Sequence, residues 1–108
     1  MALTREFKET ILARVQSDRK FANALLNEAV ELFLQGDSET AKLILRDLIN
    51  ATFGFEDLAK EIRKPDKSVY RMLSAHGNPT MSNLSAIFAT IQKKLNVDIH
   101  IKTTKHSN

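Results

Sequence analysis

Apolar residues recur every three or four positions along most of this chain, the spacing that places them on one face of an α-helix. Glycine, proline and asparagine interrupt the recurrence, and these residues commonly mark the ends of helices. The pattern therefore predicts six helical segments, at about residues 4–16, 18–34, 38–52, 55–62, 66–74 and 80–95.

The residues between these segments suit helix ends. Gly36 is placed to end the second segment in the left-handed conformation, which glycine adopts without strain. Asp37 or Ser38 can then cap the third segment, and Thr80 or Ser82 can cap the last, because short oxygen-bearing side chains accept hydrogen bonds from the first free amides of a helix. These boundaries favour an all-α fold.

The last apolar residues follow a different period. Between Val97 and Lys102 apolar and polar side chains alternate, which predicts one short C-terminal β-strand. A single strand needs a neighbour, and a second copy of the chain is the simplest source of one. We therefore expect a homodimer with Val97, Ile99 and Ile101 in its interface.

The predicted elements divide the chain into three parts. Residues 1–36 form an N-terminal helical extension, residues 37–96 a helical core domain, and residues 97–108 the strand and a basic tail. The extension carries an unusually wide apolar surface. Covering the core is the commonest use of such a surface, and a dimer interface or a binding site for another protein are the alternatives.

A chain of 108 residues is long enough for one small domain. It contains no cysteine, so it forms no disulfide. No apolar run approaches the roughly 20 residues that cross a bilayer. The first residues lack the basic-then-apolar order of a signal peptide. We expect a cytoplasmic protein with no membrane contact.

Charge is distributed unevenly along the chain. Residues 1–59 carry a net charge of −3 and residues 60–108 a net charge of +6. Such asymmetry is typical of a protein in which one half faces nucleic acid, although short chains also reach it by chance.

An enzyme is not indicated. The three histidines, His76, His100 and His106, do not stand at helical spacing from carboxylates, so the sequence predicts no metal site. It also lacks a phosphate-cradling glycine loop and a nucleophile elbow. We expect no catalytic residue and no cofactor.

Two short segments, residues 55–62 and 66–74, carry the clearest functional signal. Pro65 separates them because proline cannot continue a helix. Two short helices buttressed by a helix on either side are typical of a helix-turn-helix, whose second helix enters the major groove of DNA. Apolar residues of the second segment point inward and leave polar ones outside: Lys67, Ser68, Tyr70, Arg71 and Ser74. The alternative is an ordinary helix pair with a solvated basic surface.

Those outer side chains have the chemistry that base and phosphate contacts need. Lys67 and Arg71 lie one turn apart and can reach guanine acceptors or phosphates, and the hydroxyl groups can donate to bases or backbone. Between residues 60 and 76 there are five Lys or Arg residues against two acidic ones, which attracts DNA.

In three runs the chain resembles the Cro/C1-type helix-turn-helix family: Phe55-Glu56-Asp57-Leu58-Ala59-Lys60, Ser68-Val69-Tyr70-Arg71-Met72-Leu73 and Gly77-Asn78-Pro79-Thr80. More narrowly, the turn over residues 74–79 is similar to that of HigA-like addiction-module antidote proteins. The resemblance covers about residues 37–99. The family usually has a glycine in the turn between the two short helices, where this chain has Arg63 and Lys64.

The resemblance implies a dimer that binds a palindromic operator in double-stranded DNA, represses its own operon and neutralises a RelE-like ribonuclease toxin. It implies that Lys67, Ser68, Tyr70 and Arg71 contact bases. The full set of expected DNA contacts is Phe55, Lys64, Asp66, Lys67, Ser68, Tyr70, Arg71 and Ser74.

Two alternatives stay open at this stage. The first is a protein-interaction module that keeps a helix-turn-helix as a scaffold and does not bind DNA. The second is a stand-alone or phage-type regulator with no toxin partner. Affinity for duplex DNA separates the first from the DNA-binding proteins, and a neighbouring toxin gene separates the second from an antitoxin.

Overall fold

All regular secondary structure in the computed structural model, which describes residues 13–106, is α-helical. Residues 13–17 are helical and are called α1 here. The other helices are α2 (Arg19–Leu34), α3 (Ser38–Ala51), α4 (Gly54–Ile62), α5 (Asp66–Met72) and α6 (Met81–Leu95). The all-α prediction is confirmed for these residues. Residues 4–12 of the first predicted helix, which spans 4–16, lie outside the described residues.

Three side-chain caps begin helices where the sequence predicted boundaries. Asp18 accepts hydrogen bonds from two amides of the first turn of α2. Asp37 accepts one from the Thr40 amide at 3.2 Å and so begins α3. Thr80 accepts one from the Asn83 amide at 3.1 Å and so begins α6. Of the alternatives left open, Asp37 and Thr80 are the caps, each satisfying an amide that the helix itself leaves free.

Three helices end in the same way, on a residue in the left-handed conformation. These residues are Gly36 after α2, Arg63 after α4 and Asn96 after α6, with φ of 93°, 57° and 55°. In each case the amide of the next residue donates to the carbonyl five positions before it, at 2.8, 3.1 and 3.0 Å respectively. This is the Schellman arrangement, which satisfies carbonyls in the last turn. The predicted role of Gly36 is confirmed.

The core lies between α2, α3 and the three helices that follow them. α2 packs mainly on α3, and α4 contacts α3, α5 and α6. Residues from all six helices join one buried cluster, which includes Val15, Leu26, Leu45, Leu48, Leu58, Val69, Ile87 and Ile91. The second helix therefore covers the core, which is the commonest of the three uses considered for the N-terminal extension.

The predicted C-terminal strand is not seen. Residues 97–106 have no regular secondary structure. Val97 and Ile99 pack partly against the core, and the Ile99 amide donates to Gln92 Oε1 at 2.7 Å. The alternating pattern thus places Val97 and Ile99 towards the core, but a strand needs a neighbouring strand, and none lies within residues 13–106.

Candidate nucleic-acid interface

α4 and α5 form a pair of short helices joined by residues 63–65. The left-handed conformation of Arg63 ends α4, and Pro65, with φ of −62° and ψ of 145°, leads into α5. Leu58 of α4 and Val69 of α5 are both fully buried, so the pair is anchored to the core by its inner surface. The outer surface of α5 is thereby fixed towards solvent.

A single groove of about 510 Å³ collects most of the predicted DNA-contacting residues. Six of the eight line it: Phe55, Asp66, Lys67, Tyr70, Arg71 and Ser74. Phe55 comes from the first turn of α4, and the others lie on α5 or just after it. Lys64 is exposed in the turn, and Ser68 is half-buried on α5, and neither lines the groove. Most of the residues that the sequence predicted for DNA contact therefore lie on one continuous surface.

Five basic side chains lie on α4, on α5 and in the turn between them. Lys60, Arg63, Lys64, Lys67 and Arg71 are all exposed. Across residues 13–106, none of the five forms an ion pair. Each has its full charge available to phosphate oxygens, and the charge is not already neutralised by a neighbouring carboxylate.

Two carboxylates of α4 are neutralised by α6 instead. Lys94 Nζ lies 2.9 Å from an oxygen of Asp57 and 3.5 Å from one of Glu61. Lys93 Nζ also lies 3.3 Å from Glu61. The hydrogen bond to Asp57, with the charge of both carboxylates, raises the pKa of Lys94 above its ordinary value of 10.5. These contacts tie α4 to α6 and offset the charge of both carboxylates.

Tyr70 is held at the groove by residues from two other helices. Arg46 of α3 donates a hydrogen bond from Nη2 to Tyr70 Oη at 3.0 Å. The Tyr70 ring also meets the Phe55 ring edge-to-face, with 5.1 Å between centroids. Tyr70 remains 46% exposed. Its orientation is thus fixed while its surface stays accessible.

The segment that follows α5 is fixed by a buried lysine. Lys42 of α3 is only 6% exposed, and its Nζ donates to the Gly77 carbonyl at 2.6 Å. A Cβ at Gly77 would collide with the Arg71 carbonyl oxygen and lie 2.6 Å from that of Met72. The chain therefore passes directly against the last turn of α5, where only glycine fits.

Sequence reasoning missed Arg46, which donates to Tyr70 of the groove, and Lys42, which donates to the segment after α5. Both lie on α3, whose apolar residues pack in the core, and their partners are 24 and 35 positions away. A charged side chain beside a core stripe was the available signal, but its partner depends on how the helices pack. The predicted α5 was also too long, since the helix ends at Met72 and Ser74 lies beyond it.

No protein-family model, curated protein or solved structure matches this chain. Within residues 13–106, no group of His, Cys, Asp and Glu side chains is arranged to hold a metal ion. In the same part of the chain, no helix combines the length and the apolar character needed to cross a bilayer.

Proposed function

We propose that this protein is a sequence-specific DNA-binding repressor, in which α4 and α5 act as a helix-turn-helix. α5 enters the major groove of an operator, and α4 lies across the sugar-phosphate backbone. The observation that carries the proposal is the groove between them. Six residues chosen for DNA contact from the sequence alone line one exposed surface. The basic side chains of α4, α5 and the turn between them form no ion pair with any described residue.

The proposal assigns two kinds of contact to this surface. Lys67, Tyr70 and Arg71 face outward along α5 and contact bases, since arginine and lysine match the acceptors of guanine in the major groove. Lys64 and Arg63 lie in the turn and contact phosphates, which fix the position of the protein on the duplex. Each protomer presents only seven residues of helix to the groove, and a dimer on a palindromic operator supplies a second set.

Fluorescence anisotropy tests DNA binding directly. The purified protein is titrated into a labelled duplex from its own promoter and into a scrambled duplex of the same composition, at several salt concentrations. We expect tighter binding to the promoter and an affinity that falls as salt rises, with a slope that reports several phosphate contacts. Absence of binding to both duplexes at low salt would contradict the proposal and favour a protein-interaction module.

The resemblance to addiction-module antidotes adds a second part to the proposal, in which the repressor neutralises a RelE-like toxin encoded beside it and represses the shared operon. This part is tested by co-expression. The product of the adjacent gene should arrest growth alone and lose that effect when this chain is produced with it. If the adjacent product is harmless, a stand-alone or phage-type regulator replaces the antitoxin, and the DNA-binding part stands unchanged.

A further inference from the structure

A cavity of about 350 Å³ lies between α3 and the end of α5. The volume falls within the range of about 300–1,000 Å³ that is usual for pockets that bind small molecules. No residue that lines this cavity also lines the groove between α4 and α5, so the cavity is a separate site. Its lining includes four residues of α3 and two from the end of α5 or just beyond it: Thr40, Lys42, Leu43, Arg46, Leu73 and Ala75.

Lys42 brings an uncompensated charge to this cavity. It is only 6% exposed, yet it forms no ion pair with any described residue. Its hydrogen bond to the Gly77 carbonyl uses one of the three donors of the ammonium group. A buried charge is costly unless an opposite charge and further hydrogen bonds offset it. Water can satisfy the other donors but does not neutralise the charge, so the cavity is suited to an anion.

Arg46 adds a second charge and an unsatisfied donor. Its Nε is buried and has no hydrogen-bond partner among the described residues, and its Nη2 donates to the Tyr70 hydroxyl. No carboxylate of the described chain pairs with the guanidinium group. Buried donors without an acceptor are rare in native proteins, and an ion that the chain does not supply is one explanation for them. Arg46 and Lys42 therefore indicate the same kind of ligand independently.

The rest of the lining sets the chemical class of the ligand. Glu39 also lines the cavity and is exposed, so the two cations and this one carboxylate give the lining a net charge of +1. A carboxylate ligand offsets that charge, whereas a phosphate monoester, with a charge of about −1.5 to −2, exceeds it. Leu43, Leu73 and Ala75 form an apolar part of the lining, which suits a hydrocarbon body.

We propose that this cavity binds a small organic carboxylate, with its charged end at Lys42 and Arg46 and its hydrocarbon part against the apolar lining. The same two side chains donate to the Gly77 carbonyl and to Tyr70 Oη, at 2.6 and 3.0 Å. The ligand therefore contacts the residues that hold the segment after α5 and the tyrosine of the groove. The proposal goes beyond DNA binding and is tested without DNA, so its failure leaves the proposed function unaffected.

An NMR titration of the full-length protein with hexanoate tests for the site. Sodium chloride holds the ionic strength constant, so that general salt effects are equal in every sample. We expect saturable changes in the amide shifts of Thr40, Leu43 and Ala75, which line the cavity. 1-Hexanol has the same hydrocarbon body without the charge and should cause no such changes. Absence of saturable changes with hexanoate, or equal affinity for hexanol, would overturn the proposal.

Substitutions at Leu43 test whether the carboxylate binds at the two cations. Leu43→Glu places a competing carboxylate in the cavity, and Leu43→Gln is the matched control, with the same shape and no charge. Leu43 is 43% exposed, so we expect both variants to fold. The dissociation constant for hexanoate should be about tenfold higher for Leu43→Glu than for Leu43→Gln. Leu34→Glu changes the net charge equally at a residue that does not line the cavity, and it should bind hexanoate as the wild type does. Equal dissociation constants for the two Leu43 variants, or equal weakening by Leu34→Glu and Leu43→Glu, would refute the assignment.

Discussion

The Tyr70 hydroxyl is bonded to Arg46, which can donate hydrogen bonds but cannot accept them. Tyr70 Oη is therefore the acceptor in this contact, and its own proton is left for another group. The ring stands 46% exposed in the groove between α4 and α5. Arg46 thus presents Tyr70 to a ligand as a hydrogen-bond donor, which suits a base acceptor or a phosphate oxygen.

Replacing Arg46 should weaken specific DNA binding although the residue does not line the groove. We expect Arg46→Lys, which keeps the charge but loses the planar guanidinium, to reduce affinity for the operator by about 1 kcal/mol, the usual value of one hydrogen bond. Tyr70→Phe should cause a loss of similar size. Anisotropy titration of both variants and the double variant measures the effect.

The double variant tests whether Arg46 acts by orienting Tyr70 or independently of it. If Arg46 acts through Tyr70, the double variant loses little more than either single variant, because both changes remove the same contact. Additive losses, or an Arg46→Lys variant that binds the operator as tightly as the wild type, would show that the two residues act separately. The charge is unchanged in both variants, so the salt dependence should stay constant.

Helix positions and the outward surface of α5 could be predicted from the sequence because both depend on local spacing. Val69 and Leu73 are fully buried as expected, and Lys67 and Arg71 are exposed. The contact between Arg46 and Tyr70 could not be predicted, because its two residues belong to different helices and meet only after packing. The strand at residues 97–102 was predicted from alternation alone, which also fits a segment that packs one side on a core.

Arg71 and Lys64 should differ in their effect on sequence specificity. Arg71 lines the groove and Lys64 does not. Arg71→Ala should cost about 1–3 kcal/mol in binding to the operator and much less in binding to random DNA, since arginine discriminates bases. Lys64→Ala should weaken both by a similar amount and lower the salt slope. Equal losses on both duplexes in both variants would contradict this division of roles.

Gly77→Ala should destabilise the fold strongly, although it adds only one methyl group. Its Cβ would strike backbone carbonyls at the end of α5, which move less readily than side chains. We expect a loss of about 1–3 kcal/mol in the free energy of unfolding, as for an overpacked core site. Urea denaturation measures it, with Gly36→Ala as the control, because that position has a φ of 93° but open space around it. A smaller loss at Gly77 than at Gly36 would contradict the predicted collision.

Arg63→Gly should produce a more stable protein than Arg63→Ala. Both variants remove the same side-chain charge, but only glycine adopts a φ of 57° without strain. We expect a difference of about 1 kcal/mol in the free energy of unfolding between them, and equal salt dependence of DNA binding. Urea denaturation of the two variants provides the comparison. If the alanine variant is as stable as the glycine variant, the turn does not hold this residue in the left-handed conformation.

The contact between Lys94 and Asp57 should make part of the stability depend on alkaline pH. The pKa of Lys94 is raised in the folded chain, so the protonated form is favoured there. Its contribution is fully present below the ordinary value of 10.5 and is lost as pH rises through the raised value. The stability advantage of the wild type over Lys94→Met should therefore be constant near neutrality and shrink above that value. Lys60→Met is the control, because Lys60 is exposed and forms no ion pair with any described residue. An advantage over Lys94→Met that persists unchanged through strong alkali would show that the ammonium charge does not tie α4 to α6.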